Sequence, residues 1–137
     1  MGHSPERMWD LLIAGSQELA DSLGLEAPPP VFTPKRALGA VDAWLAGFPE
    51  SLDEDSTAQL AFFLARVLIE THGGGLTKIK HEGHSLDGEW AITGFQQGLD
   101  ADFHVPFMIS AMRIGVEREL TAAQWYAQTR EEGTRGA

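Results

Sequence analysis

HGGGLTKIKHEGHSLDGEWAITGF, residues 72–95, is the stretch in which the chain stops reading as helix. Gly73-Gly74-Gly75 ends a long apolar helix, because glycine adopts the positive φ that helix ends call for without a Cβ penalty. Leu76 to His81 alternates apolar and polar residues, and Glu89 to Phe95 places Trp90 and Ile92 on one face. Period-two alternation predicts two half-buried strands, near 76–81 and 89–95. Between them Glu82-Gly83-His84-Ser85-Leu86-Asp87-Gly88 is rich in turn formers, so the two strands are expected to pair as an antiparallel hairpin. A lone hairpin is marginal in water and must lie on helices or gain another strand. Val31-Phe32 or a partner chain is a candidate for that strand.

Outward from this hairpin the sequence reads as helix. Ser4-Pro5 and Thr33-Pro34 are each an N-cap followed by proline at the first helical position. The first helix carries Met8, Leu11, Leu12, Leu19 and Leu23 at helical spacing, with Trp9 and Ile13 widening its apolar face and Gly24 ending it. Gly15 interrupts that pattern at a cost of about 1 kcal/mol relative to alanine. Ala27-Pro28-Pro29-Pro30 reads as a stiff extended connector. The second helix presents Leu38, Val41, Trp44 and Leu45, and is stopped by Gly47 and Pro49. The third, capped at Asp55 or Ser56, is apolar on more than one face: Leu60, Phe62, Phe63, Leu64, Val67, Leu68 and Ile69. Such a helix is packed on several sides and is the expected centre of the fold. Val105-Pro106-Phe107 leads a fourth helix, and Thr121 caps a fifth bearing Trp125 and Tyr126. The class is therefore α+β: four to five helices with a small antiparallel two-stranded hairpin. Residues 1–137 form one globular domain, with frayed ends at 1–4 and 133–137.

Composition narrows the function classes. The 137 residues contain no cysteine, which excludes a disulfide framework, a thiolate nucleophile and cysteine-ligated metal. Ten basic against 20 acidic residues give a net charge of −10, which repels phosphate backbones and disfavours nucleic acid. No run approaches the roughly 20 apolar residues of a membrane span, and the expectation is a cytoplasmic protein without membrane contact. His72-Gly73-Gly74-Gly75 and Gly83-His84-Ser85 resemble fragments of lipases and esterases, but the nucleophile elbow needs glycine two residues after the serine, where Asp87 stands.

Two constellations remain. His72, His81 and His84, assisted by Glu70, Glu82 or Asp87, are the candidate ligands of a divalent metal such as zinc, since imidazole and carboxylate suit that ion. The spacing matches no established metal motif, and at the end of a helix His72 also has a simpler role, interacting with the helix dipole. The other constellation is a contact surface: Trp90, Phe103 and Phe107 as apolar contacts, with Asp87 and Glu89 beside them; the ordinary role of such aromatics, filling the core, stands against it. Carboxylate pairs for acid–base chemistry can be drawn from Asp87, Glu89, Asp100 and Asp102, but no nucleophile–base arrangement is identifiable.

The leading expectation is a small acidic protein-interaction module without catalytic activity or cofactor: an adaptor, an immunity-like neutraliser or a regulatory subunit, with a basic protein as the fitting partner. The alternative is a divalent-metal or small-ligand binding protein, or a hydrolase, with its site where the 56–72 helix meets the hairpin. A homodimer joined through hairpin edges is the third.

Overall fold

The computed structural model describes residues 4–25, 33–48, 50–80, 82–83 and 86–134. The Pro28–Pro30 connector, the Val31-Phe32 strand candidate, Pro49, His81, His84 and Ser85 lie outside them. The elements run α1 (Pro5–Ser22), α2 (Pro34–Leu45), α3 (Glu54–His72), β1 (Gly75–Lys78), β2 (Trp90–Thr93), β3 (Val105–Pro106), α4 (Phe107–Ala111) and α5 (Ala122–Gly133). Between α4 and α5 the helix continues through one π turn, Met112–Val116. Among the described residues the fold is α+β, with five α-helices and a small antiparallel sheet.

The helix starts follow from side-chain oxygens that accept otherwise unpaired N–H groups. Ser4 accepts from the Arg7 N–H and Thr33 from the Arg36 N–H, each ahead of its proline. Thr121 and Gln124 form a reciprocal capping box on α5, and the Asp42 carboxylate accepts two further N–H groups there, from Ala122 and Ala123. Helix α3 begins earlier than its sequence suggests. Asp53, not Asp55 or Ser56, is the cap, accepting the Ser56 N–H at 2.7 Å. Ser4 and Gly133, expected within frayed ends, are built into helix termini, and Gly133 is buried.

Helix α3 is the centre. Leu60, Ala61, Phe63, Leu64, Ala65 and Leu68 are wholly inaccessible, and together they cover several faces of the helix. Against it α1 packs closely, at the position where Gly15 seemed a defect. A Cβ on Gly15 would stand 2.5 Å from the Phe62 ring, so the missing side chain is what lets the two helices meet. Beside this contact the Arg66 guanidinium donates to the Ser16 hydroxyl at 3.1 Å and lies 3.7 Å from the Glu70 carboxylate. Trp9 and Ile13, expected on the apolar face of α1, are instead 40% and 36% exposed. The inward stripe of α1 is Met8, Leu12, Ser16, Leu19 and Ala20.

The sheet has three strands in the order β1-β2-β3, not the two of a simple hairpin. β1 and β2 pair in the expected antiparallel sense, with Gly75 opposite Thr93 and Lys78 opposite Trp90, but each is shorter than 76–81 and 89–95. The third strand is the two-residue segment Val105–Pro106, which pairs with Ile92 and Ala91 before the chain turns directly into α4. Proline has no N–H to offer a further strand, so any extension of the sheet would use β1.

The second half is tied to the first by main-chain bonds. The Leu52 N–H donates to the Gly115 carbonyl at 3.0 Å, and the Ser51 hydroxyl to the Val116 carbonyl at 2.7 Å. Within the π turn the Glu117 N–H reaches back five residues to the Met112 carbonyl, at 2.8 Å. Arg118 follows with φ at 55°, a left-handed conformation unusual for a side-chain-bearing residue. Its guanidinium donates to the carbonyls of Leu45, Phe48, Glu50 and Gly115, which binds the end of α2 to the π turn.

Two glycine substitutions should move stability in opposite directions. Gly74 has φ at 101°, and its Cβ would stand 2.8 Å from the Thr93 carbonyl oxygen, so Gly74→Ala is expected to cost about 2 kcal/mol or more. Gly39 is exposed within α2 with nothing near its missing Cβ, so Gly39→Ala should add about 0.5–1 kcal/mol. Urea unfolding midpoints of the two variants against wild type check both signs.

Candidate functional site

The last turn of α3 delivers His72 into a polar joint between three elements. The glycines after it turn the chain away, and the 96–98 loop folds back over the helix end. There the Gln96 and Gln97 N–H groups donate to the His72 carbonyl at 2.8 and 3.2 Å, and the Gln97 amide donates to the Thr71 carbonyl at 3.0 Å. These bonds satisfy carbonyls that a helix end leaves unpaired. Gly98 sits so close that a Cβ there would come within 2.7 Å of His72 Nδ1.

The imidazole is only 6% exposed and both its nitrogens are engaged. Nδ1 lies 3.0 Å from the Gln97 carbonyl, which can only accept, so Nδ1 carries the proton. Nε2 of the neutral ring then accepts from the Tyr126 hydroxyl on α5, at 2.8 Å. Burial holds His72 below its ordinary value, against the raising effect of the Gln97 carbonyl, and Arg130 lowers it further. Burial also raises Tyr126. Arg130 lies 5.9 Å from the Tyr126 ring centre.

In this geometry both ring nitrogens of His72, one of the three expected metal ligands, are engaged by protein groups, a carbonyl and a phenol. His81 and His84 lie outside the described residues, among which no group of three His, Cys, Asp or Glu side chains could hold a metal. The other described histidine, His104, is exposed and bonds the Asp102 carbonyl through Nδ1.

The expected contact residues divide. Phe107 is 1% exposed and packs at a tilt against Phe62, 6.2 Å between centres, so it belongs to the core and cannot meet a partner. Phe103 is half-buried beside Phe95 and closely opposed to Gly133. Trp90 is half-buried on β2, with the Lys78 ammonium 5.9 Å from its ring centre. Asp87 is exposed in the turn, and Glu89 exchanges main-chain bonds with Ile79 and Leu86. Of the five, Phe103 lines one of the three clefts described below.

Among the described residues, three concave regions stand out. One, of about 190 Å³, lies between β3, α4 and α5 and is lined by His104, Arg113, Trp125 and Glu132 among others. Its polar groups are largely committed: Ser110 donates to the Pro106 carbonyl and Arg113 pairs with Glu119 at 3.1 Å. A second, of about 250 Å³, contains Asp42 and Arg118, both already spent on main-chain groups. The third, of about 450 Å³, is the largest of them and runs between the start of α3 and the α4–π helix. Leu52, Thr57, Ala58, Met108, Met112 and Val116 line it, with Glu54 at its edge. Met112 is 42% exposed. Reading the sequence did not find this groove. Its only local signal was the pair Met108 and Met112, four residues apart on one helix face.

A pH effect on stability should follow from His72. Its folded pKa lies below the unfolded value of 6.5, so the unfolded chain takes up a proton first as pH falls. The stability that the neutral histidine contributes is full above 6.5 and declines as pH drops through the interval below it. His72→Phe, which also strands the Tyr126 hydroxyl, is expected to cost about 1–3 kcal/mol at pH 8, with the gap from wild type narrowing toward pH 5. Urea unfolding of both proteins at the two pH values checks this, since the other histidines are common to both.

Compared with protein-family models, with curated proteins and with solved structures, the chain finds no match.

Proposed function

We propose that this chain acts through protein–protein contact, as an adaptor, neutraliser or regulatory subunit, and that the groove between Leu52–Ala58 and Met108–Val116 is its contact surface. The observation that carries this reading is the lining of that groove. It is largely apolar, with two methionines, one of them well exposed, and no arrangement of nucleophile, base or oxyanion donors among the residues that line it. Methionine's unbranched thioether adapts to differently shaped partners, which is why such residues recur on binding surfaces. The net charge of −10 favours encounter with a basic partner.

A metal- or ligand-binding function at the hairpin has less in its favour, because His72 is committed to Gln97 and Tyr126. The catalytic reading lacks any pairing of a nucleophile with a base in the clefts described above.

Met112→Arg places a long cation in the groove at a position exposed enough to leave folding within about 0.5 kcal/mol of wild type, which circular dichroism and urea unfolding can check. Affinity capture from extracts of the natural host should then retain a protein with wild type and with an exposed control, Gln128→Arg, but lose it with Met112→Arg. Identical capture by all three would remove the groove from the contact.

A further inference from the structure

Resting on the interaction reading, the charge and shape around the groove select a class of partner. We infer that the groove accepts an amphipathic helix, apolar on one face and rich in lysine or arginine on its flanks.

The first argument is electrostatic. Glu54 lies at the edge of the groove, its chain neighbours Asp53 and Asp55 are exposed, as is Glu50 in the segment that leads into α3, and on the other wall the exposed Glu117 follows Val116. Asp53 stays anionic to lower pH than usual, because the Ser56 N–H donates to its carboxylate. Residues 50–72 and 105–121 contain no lysine and three arginines. Each arginine is engaged: Arg66 with Ser16 and Glu70, Arg113 with Glu119, and Arg118 with four carbonyls. The helix dipole works against a cation at the start of α3, but it amounts to about half a positive charge. Three carboxylates in consecutive positions outweigh it.

The second argument is geometric. The groove is walled by two helices, and no strand edge borders it, so a partner gains nothing there by main-chain pairing. Recognition has to come from side chains entering between the walls. A helix supplies these at i, i+3 or i+4, and i+7, in the manner of amphipathic segments that lie in apolar grooves. Its basic flanks would then face the acidic rims, steering the encounter and fixing its orientation.

The test uses an 18-residue amphipathic leucine–lysine peptide, its leucine–glutamate counterpart, and a scrambled leucine–lysine peptide that cannot form an apolar face. The chain has four methionines, so [methyl-13C]-methionine NMR resolves the groove directly. The leucine–lysine peptide should shift Met108 and Met112 and leave the buried Met8 unmoved. Its affinity should fall about tenfold or more in the Glu54→Lys/Glu117→Lys variant, and fall again with rising salt. The inference is overturned if the leucine–glutamate or scrambled peptide binds as well, or if the shifts lie outside the groove. Concentration-dependent shifts of Met108 and Met112 in the protein alone would also overturn it, by assigning the groove to a second copy. If no peptide binds but Met112→Arg still releases a captured protein, the basic-helix inference falls and the interaction reading stands. If neither effect is seen, both fall.

Discussion

A nineteen-residue helix with apolar side chains on several faces cannot rest against water on any of them, and the placement of the other elements around α3 follows from this. Helix α1 covers one face, at the distance that Gly15 permits. Helix α4 covers another through Phe107 and Phe62. The sheet closes over the far end through the wholly buried Ala91 and Ile92. The ends of α3 are where this enclosure stops, and both become chemically distinct. Its C-terminus is sealed by a histidine and a loop, whereas its N-terminus stays open as the groove.

The features legible in the sequence were those decided locally. A threonine or serine followed by proline marks a helix start wherever it lies, because the cap and the first turn involve only neighbouring residues. Alternation around Trp90 and Ile92 revealed a strand for the same reason. The misreadings had non-local causes. Val105-Pro106 is too short to show alternation, and it is a strand only because Ile92 and Ala91 lie beside it. Trp9 and Ile13 continue an apolar stripe, yet α3 offers no surface beyond Met8 and Leu12 for them to cover.

The site was less legible than the fold. His72 at the end of an apolar helix followed by three glycines suggested a histidine open to solvent or to an ion. What buries it is Tyr126, 54 positions along the chain, together with Gln97. Phe107, expected beside the hairpin as a contact if the last helices closed over it, instead takes the alternative role of core filler against Phe62. The groove joins segments fifty or more residues apart, around residues 52–58 and 108–116, and neither carries a signature of the other. Its acidic rim was visible as Asp53-Glu54-Asp55, which equally well explains a helix start. One of these residues caps the helix, and its neighbours are left to give the rim its charge.

The π turn at Met112–Val116 bears on how such a protein can change by descent. Its five-residue bond accommodates one residue more than an α-helical turn would hold. Each residue of regular helix advances the chain by about 100° around its axis. Loss of a single residue there would let the five-residue bond shorten to the four-residue bond of regular helix, and the turn itself would absorb the step of about 100°, so that the helix on either side keeps its face toward the groove. The π turn is therefore a point at which the chain can change length by one residue without turning the wall beyond it.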